Sequence, residues 1–363
     1  MSMNTPALTF NNQLFTGSEL KQYSANKILD KSIPSWERAV FQFVLTWLDD
    51  SDSIIQYSSG TTGKSKELHL LKKSMIRSAE NTCRFFNLIK GQTAVLCLPV
   101  DYIAGKMMVI RCIVGGLNLQ IVEPKSMPDF SCIKNIDFCA MVPLQVLNIL
   151  KNVDNHPPIK KLLIGGTEIT AELENLVRHI TGEVYASYGM AETCSHVALR
   201  RLNSPDRQKD YLALPEVLLN LDERGCLVIN AQYLPDKVAT NDLVKFTSHN
   251  SFIWLGRYDN LINSGGIKIV PEEVEAIVMA KTTLECAVLG LPDNKLGQKL
   301  VFVFEKEKTS ATPTELKTNL EKILPRHWQP KDIVQVKKFP RNNSLKIDRN
   351  KLAEQIIAIF TSS

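Results

Sequence analysis

From about Lys66 to Gly189 short apolar runs of β type alternate with amphipathic stretches of helical spacing. Ala94–Leu98, Leu119–Val122, Phe138–Val142, Leu162–Ile164 and Val184–Ser187 read as strands, and Ser74–Asn87 and Ala171–Ile180 as helices. This alternation predicts an α/β layered sheet joined by crossover connections. Between Pro215 and Gly256 the pattern shifts to short strands set off by turn residues, as in Cys226–Ile229 and Phe252–Leu255. After Arg257 come a double-glycine hairpin, a helix opening at Pro271, strands at Ala287–Leu289 and Leu300–Phe304, a helix over Thr314–Ile323 and a last helix after Asp348. The expected fold class is therefore α/β. A large N-terminal domain spans 1–256, with its β-rich part at about 211–256. A small α+β C-terminal domain spans 257–363, joined at a hinge near Gly256–Asn260.

Composition narrows the function classes. The 363 residues carry a net charge of +5 without a dense basic block, so nucleic acid is not an expected partner, and small anionic substrates account for the balance equally well. The eight cysteines form no Cys-x-x-Cys pair and most sit in apolar runs, which reads as reduced, buried thiols. The apolar region from Ala94 to Val122 is broken by Asp101, Lys106 and Arg111, so no membrane insertion is expected. The N-terminus lacks a basic region followed by an apolar core, and the expected location is the cytoplasm.

The chemistry concentrates first in Tyr57-Ser58-Ser59-Gly60-Thr61-Thr62-Gly63-Lys64-Ser65-Lys66. Two glycines allow a tight turn with N–H groups converging on an anion, hydroxyls add donors and lysines add charge, so the stretch reads as a polyphosphate loop. It is not a Walker A loop, because Ser58 stands where that pattern needs its first glycine. Ile164-Gly165-Gly166-Thr167-Glu168 follows an expected strand and precedes an expected helix, the place where α/β sheets bind ligands. On its own a Gly-Gly there is a turn about as often as a site.

These two loops, with Tyr188-Gly189-Met190-Ala191-Glu192 and the run from Gly256 to Glu275, resemble in order and kind the acyl-adenylate-forming superfamily of acyl- and aryl-CoA synthetases, adenylation domains and luciferases. The resemblance implies ATP, Mg²⁺ and coenzyme A as cofactors and co-substrates, with a small carboxylic acid as the other partner. It places Ser58, Thr61, Thr62, Gly63 and Lys66 along the phosphates, Gly165, Gly166, Thr167, Tyr188 and Gly189 at the adenine, and Glu192 on Mg²⁺. Asp242 falls at the ribose, within a Thr240-Asn241-Asp242-Leu243 turn where Asn241 replaces the usual glycine and tolerates left-handed backbone, and Arg257 joins it at the ribose or phosphate. Asp259 matches the hinge, Gly265, Gly266 and Lys268 the coenzyme A face, and Lys346 the adenylation lysine. The small domain is expected to alternate between two orientations for the two half-reactions.

Departures from the family pattern are informative. Ala191 replaces a threonine that by resemblance binds the α-phosphate, so either Thr193 or another group compensates or the enzyme is slow. Leu345 replaces the glycine before Lys346, and only fifty-odd residues precede Tyr57, so one N-terminal layer is expected to be trimmed. That shortening leaves a homodimer open. The stretch Tyr188 to Arg200 looks most like the o-succinylbenzoate–CoA ligases of menaquinone biosynthesis. Such a substrate keeps a second carboxylate, for which Ser195, His196, Lys106 and Arg111 are candidates, and Tyr102 stands at the acyl-pocket position. Another aryl- or acyl-CoA ligase, or a degenerate nucleotide-binding regulatory module, are the competing readings.

Overall fold

The computed structural model describes residues 6–58, 66–152, 158–341 and 347–361. The sequence-predicted Thr61, Thr62, Gly63 and Lys346 lie outside them. The chain divides into two compact units. The first comprises Met1–Leu219, Ile229–Val238 and Ser248–Ser251, and the second Asn220–Val228, Ala239–Thr247 and Phe252–Ser363.

The first unit opens with β1 (Ala7–Phe10), β2 (Gln13–Thr16), α1 (Gly17–Leu29) and α2 (Ser35–Trp47), followed by the hairpin β3 (Ser53–Ser58) and β4 (Lys66–Leu71). Then α3 (Lys72–Phe85), β5 (Thr93–Leu96), α4 (Ile103–Gly115), β6 (Asn118–Ile121), β7 (Phe138–Met141), α5 (Pro143–Asn152), β8 (Lys161–Ile164), α6 (Ala171–Val177) and β9 (Glu183–Gly189) alternate as the sequence predicts. The antiparallel β10 (His196–Arg201) and β11 (Tyr211–Ala213) close it. The strands lie in the order β11-β10-β9-β8-β7-β5-β6-β1-β2, with β9, β8, β7, β5, β6 and β1 mutually parallel.

Parallel strands are covered on both faces, so their sequences lack polar alternation. Accordingly Val95, Cys139, Met141, Leu162, Ile164, Val184 and Ala186 share one core with Val146 and Ile149 of α5 and Leu173 and Val177 of α6. The two-stranded β3–β4 sheet stands apart from this order.

Strands β12 (Val217–Leu221), β13 (Cys226–Ala231), β14 (Val238–Ser248) and β15 (Ser251–Arg257) follow one another in sequence and in the sheet, and each has residues in both units. The rest of the second unit is an α+β fold built from β16 (Ile262–Ser264), β17 (Ile267–Ile269), α7 (Pro271–Thr282), β18 (Cys286–Asp293), β19 (Gly297–Glu305), α8 (Pro313–Ile323), β20 (Asp332–Val336) and α9 (Arg349–Thr361). Proline at the first turn and two acids behind it start α7, and a Thr312–Glu315 capping box with Pro313 starts α8. The β18–β19 ladder is buried on both sides. Val288, Phe302 and Phe304 face α7 and α8, while Leu289, Val301 and Val303 face Leu352 and Ile356 of α9.

Candidate functional site

The expected phosphate-loop motif begins at the end of β3 and ends at the start of β4, and its residues 59–65 lie outside the described ones. Six cross-strand pairs run from Ser53↔Leu71 to Ser58↔Lys66, so Ser58 and an exposed Lys66 flank the tip. The stem is fastened by the buried Gln56, whose amide donates to Asp101 O (3.1 Å) and accepts from Lys106 Nζ (2.6 Å). Lys106 also reaches Ile55 O, and burial lowers its pKa against the opposing charge of Asp101. The structure therefore engages Lys106 with the hairpin stem. Five positions on a helix turn it about 140° away from Arg111, so these two candidate cations of α4 do not share a face. Tyr102, the residue before α4, is 55% exposed.

The adenine-side residues do come together. Gly165, Gly166 and Thr167 follow β8, and Tyr188 and Gly189 end its parallel neighbour β9, where Ile164 is level with Ala186. Ser187 Oγ donates to Ile164 O (3.1 Å), which ties the ends of β9 and β8 to one another, and Gly165 N–H donates to Met141 O (3.1 Å) at the end of β7. The half-buried Tyr188 ring lies 5.9 Å from Tyr211, itself under the Arg200 guanidinium at 5.4 Å. Tyr211 carried no signal in sequence because it arrives on an antiparallel strand after a separate turn. Gly189 has a steric reason to be glycine. A Cβ there would sit 2.4 Å from Ser195 O and 2.5 Å from His196 Cα.

After Gly189 a single 3-10 turn, Ala191–Thr193, presents Glu192 half-buried, and no cation pairs with its carboxylate among the described residues. A carboxylate without a cation partner among the described residues fits Mg²⁺, which takes few protein oxygens and completes its shell with phosphates and water. No cluster of three or more ligating side chains exists among the described residues. Thr193 does not replace the hydroxyl missing at Ala191. Its buried Oγ1 accepts from Met190 N (3.0 Å) and lies 2.6 Å from Ser195 O, so it is engaged inside the turn.

Behind that turn lies a buried polar chain that sequence could only hint at. Arg111 is 2% exposed, and its Nη2 donates to Ser195 Oγ at 2.5 Å. Ser195 Oγ is 3.3 Å from His196 Nδ1, and His196 Nε2 is 3.3 Å from Thr82 Oγ1, which donates to Ser78 O (3.0 Å). With Thr82 donating to a carbonyl, Nε2 carries the imidazole proton and Nδ1 accepts. Burial, then the Arg111 charge, holds His196 well below its usual pKa, so it is neutral. Burial lowers Arg111 to about 10, leaving it a cation at neutral pH. Among the described residues no carboxylate pairs with it and its Nε has no partner. Arg111, Ser195 and His196, three of the candidates for the second carboxylate, are thus brought together, and Thr82 is the member of the chain that sequence reasoning missed.

In the second unit Asp242 and Arg257 are neighbours, with Nη1 to Oδ1 at 3.6 Å, and Trp254 Nε1 donates to the same oxygen (3.2 Å). Arg257 also pairs with Asp259 (2.7 Å), in the 3-10 turn Tyr258–Asn260. Asn241 differs from expectation. It lies inside β14 and is absent from the left-handed residues, so it needs no glycine-like backbone, and its amide instead donates to Asp259 Oδ1 (3.0 Å). Gly265 and Gly266, at φ +60° and +83°, make a two-residue turn between β16 and β17, a conformation that favours glycine. A Cβ on Gly266 would meet nothing within 4 Å, and Lys268 is exposed on β17.

The loops after β8 and β9, the β3–β4 hairpin and Glu192 are the positions at which a nucleotide-activating enzyme is expected to hold its nucleotide. The profile of the AMP-binding enzyme family matches residues 14–218, and that of the AMP-binding enzyme C-terminal domain matches 273–346. The chain belongs to the AMP-binding enzyme family. It is 27% identical over 335 residues, 84% of this chain and 67% of the relative, to the 2-succinylbenzoate–CoA ligase of Staphylococcus aureus strain JH9. Among solved structures it is similar to an AMP-forming acyl-CoA synthetase/AMP-acid ligase II-like protein from Dyadobacter fermentans, at 33% identity and TM-score 0.60, covering 92% of this chain and 98% of that one. The o-succinylbenzoate CoA synthetase of Bacillus subtilis with ATP and magnesium shares the fold at 17% identity and TM-score 0.72, covering 97% of each. No helix among the described residues is long and apolar enough to cross a membrane.

Proposed function

We propose that this protein is an ATP-dependent acid–CoA ligase that forms an acyl-adenylate and then a CoA thioester, with o-succinylbenzoate as its acid. The observation that carries the substrate assignment is Arg111, a buried cation beside Ser195 with no carboxylate partner among the described residues. A buried charge left unpaired is costly, and a substrate with a second carboxylate would supply the missing counter-charge. The named relatives support the same reading.

In the adenylation step the acid's reacting carboxylate attacks the α-phosphorus of ATP, forming the acyl–O–P bond as the bond to pyrophosphate breaks. Lys66 and the loop from Ser58 would hold the departing phosphates, Lys346 would bridge the arriving carboxylate and the α-phosphate, and Asp242 and Arg257 would orient the ribose. When bound, Mg²⁺ neutralises phosphate charge, and Glu192 would hold it. In the second step the thiol of coenzyme A displaces AMP past the Gly265–Gly266 turn, where the open face leaves room for a pantetheine arm. We place the reaction in the cytoplasm, where both co-substrates reside.

The test is incubation with Mg-ATP, coenzyme A and o-succinylbenzoate, with AMP, pyrophosphate and the thioester as expected products. Release of ADP would overturn the adenylate mechanism. Faster turnover of benzoate or a fatty acid than of o-succinylbenzoate would overturn the substrate assignment alone.

A further inference from the structure

The buried hydroxyl of Thr82, on α3, has a single proton and gives it to the carbonyl one turn back, Ser78 O (3.0 Å). What remains of that hydroxyl is lone pairs, and His196 Nε2 stands before them at 3.3 Å. A neutral imidazole has one ring hydrogen, so the bond made at Nε2 dictates the state of the other nitrogen. Nδ1 is left bare, facing Ser195 Oγ at 3.3 Å and Arg111 Nη2 at 3.5 Å. Ser195 Oγ accepts from Arg111 Nη2 at 2.5 Å and turns its own proton to Nδ1. The donors therefore run one way, from Arg111 to Ser195, to His196, to Thr82 and into the Ser78 carbonyl. Each link presents its negative end to the guanidinium, and bonds chained in this way polarise one another. The chain solvates the buried cation without neutralising it. Arg111 Nη1 meets only the Met108 sulfur at 3.6 Å, and Nε has no partner among the described residues, so donors remain for an incoming anion.

We propose that Thr82 is a specificity-positioning residue of the acid site, which fixes the direction of this chain through His196 and so holds Arg111 in place with its charge unmatched. The inference rests on the reading of Arg111 as the cation for the acid's second carboxylate. A carboxylate in the chain would cancel the charge that the substrate is to meet. A chain running the other way would set a ring N–H against the Arg111 N–H at 3.5 Å.

The test compares o-succinylbenzoate with a monocarboxylic analogue, each by ATP–pyrophosphate exchange, in Thr82→Val, Thr82→Ser and Arg111→Met. Thr82→Val keeps the shape and removes the hydroxyl. It should raise KM for o-succinylbenzoate by about ten-fold, roughly the worth of one hydrogen bond, with KM for the analogue within about two-fold. Thr82→Ser should restore most of the affinity. In an Arg111→Met background Thr82→Val should weaken binding no further, because the group it positions is gone. Proton–nitrogen correlation in histidine-labelled protein should show the His196 hydrogen on Nε2 in the wild type and Thr82→Ser, and broadened by exchange in Thr82→Val. His196→Asn assigns the signal, and Thr82→Ala serves if Thr82→Val does not fold. A hydrogen on Nδ1 in the wild type, equal loss for both acids, or full additivity with Arg111→Met would overturn the proposal. Selectivity lost in Arg111→Met but untouched in Thr82→Val would remove the role of Thr82 alone, while selectivity surviving Arg111→Met would remove the reading of Arg111 itself.

Discussion

Arg111 in the first unit and Arg349 in the second are both withdrawn from solvent, yet they are treated in opposite ways. Arg349 has a carboxylate at 2.6 Å, a second at 3.8 Å and a carbonyl at 3.0 Å. Arg111 has a serine hydroxyl, a neutral histidine and a methionine sulfur at 3.6 Å. A protein that can place Glu275 against one guanidinium has no chemical obstacle to doing so for the other. Among the described residues Arg111 has only neutral partners, the arrangement a cation needs if it is to receive an anion that comes and goes, whereas a cation supplied with acids has its charge already matched.

The sharpest break would come from removing each charge in turn. Arg349→Met strands the Glu275 carboxylate and is expected to lower unfolding free energy by about 3–5 kcal/mol. Arg111→Met removes an uncompensated charge and should leave the ligand-free protein at least as stable. Urea unfolding of both variants checks this, and a comparable loss in both would erase the distinction. A second measurement sharpens the functional half. Arg111→Met should lower kcat/KM for o-succinylbenzoate by about 10²-fold, about 2.7 kcal/mol, but change that for a monocarboxylic analogue by less than about three-fold. Equal loss for both acids would mean that Arg111 does not read the second carboxylate.

The smallest effect tests the neutral partner. His196 stays unprotonated when folded, while in the unfolded chain it takes up a proton below about pH 6.5, so stability is full above that pH and is lost as pH falls through it. At pH 5.5 the loss is about 1.4 kcal/mol relative to pH 7.5. Glu275, whose pKa is raised by burial against the pull of Arg349, contributes in the opposite direction, so the comparison is made against His196→Asn. That variant should lack the decline, and a parallel decline in both proteins would remove His196 as its source.

The parallel strands were legible because burial on both faces writes them as unbroken apolar runs, and α7 and α8 because proline and acids mark their starts. The strand β20 was not, since Asp332–Val336 becomes a strand only by pairing with β19 across α8. In the site, the Gly165 and Tyr188 groups were legible because a parallel register brings successive strand ends together. The Arg111 chain was only partly so. Its members span 114 positions from Thr82 to His196, and whether Arg111 faces solvent or core is decided by α4 packing that no local pattern states. The engagement of Lys106 with Gln56 was hidden for the same reason, and Asn241 differed because residue preference suggested a turn where sheet pairing gives extended backbone.

The β3–β4 hairpin is a ribbon of two strands, joined to no third among the described residues and exposing Ile55, Tyr57, Glu67 and His69 on one face. A ribbon of that kind opens at lower free energy than a central sheet. Its amide protons should therefore trade with deuterium well before those of β5, β7 and β8. Because a ligand that binds only the closed form suppresses opening, added ATP should slow labelling of 53–58 and 66–71 while the central strands hardly change. The grip on the phosphates would then be written as a time delay in the ribbon that carries them.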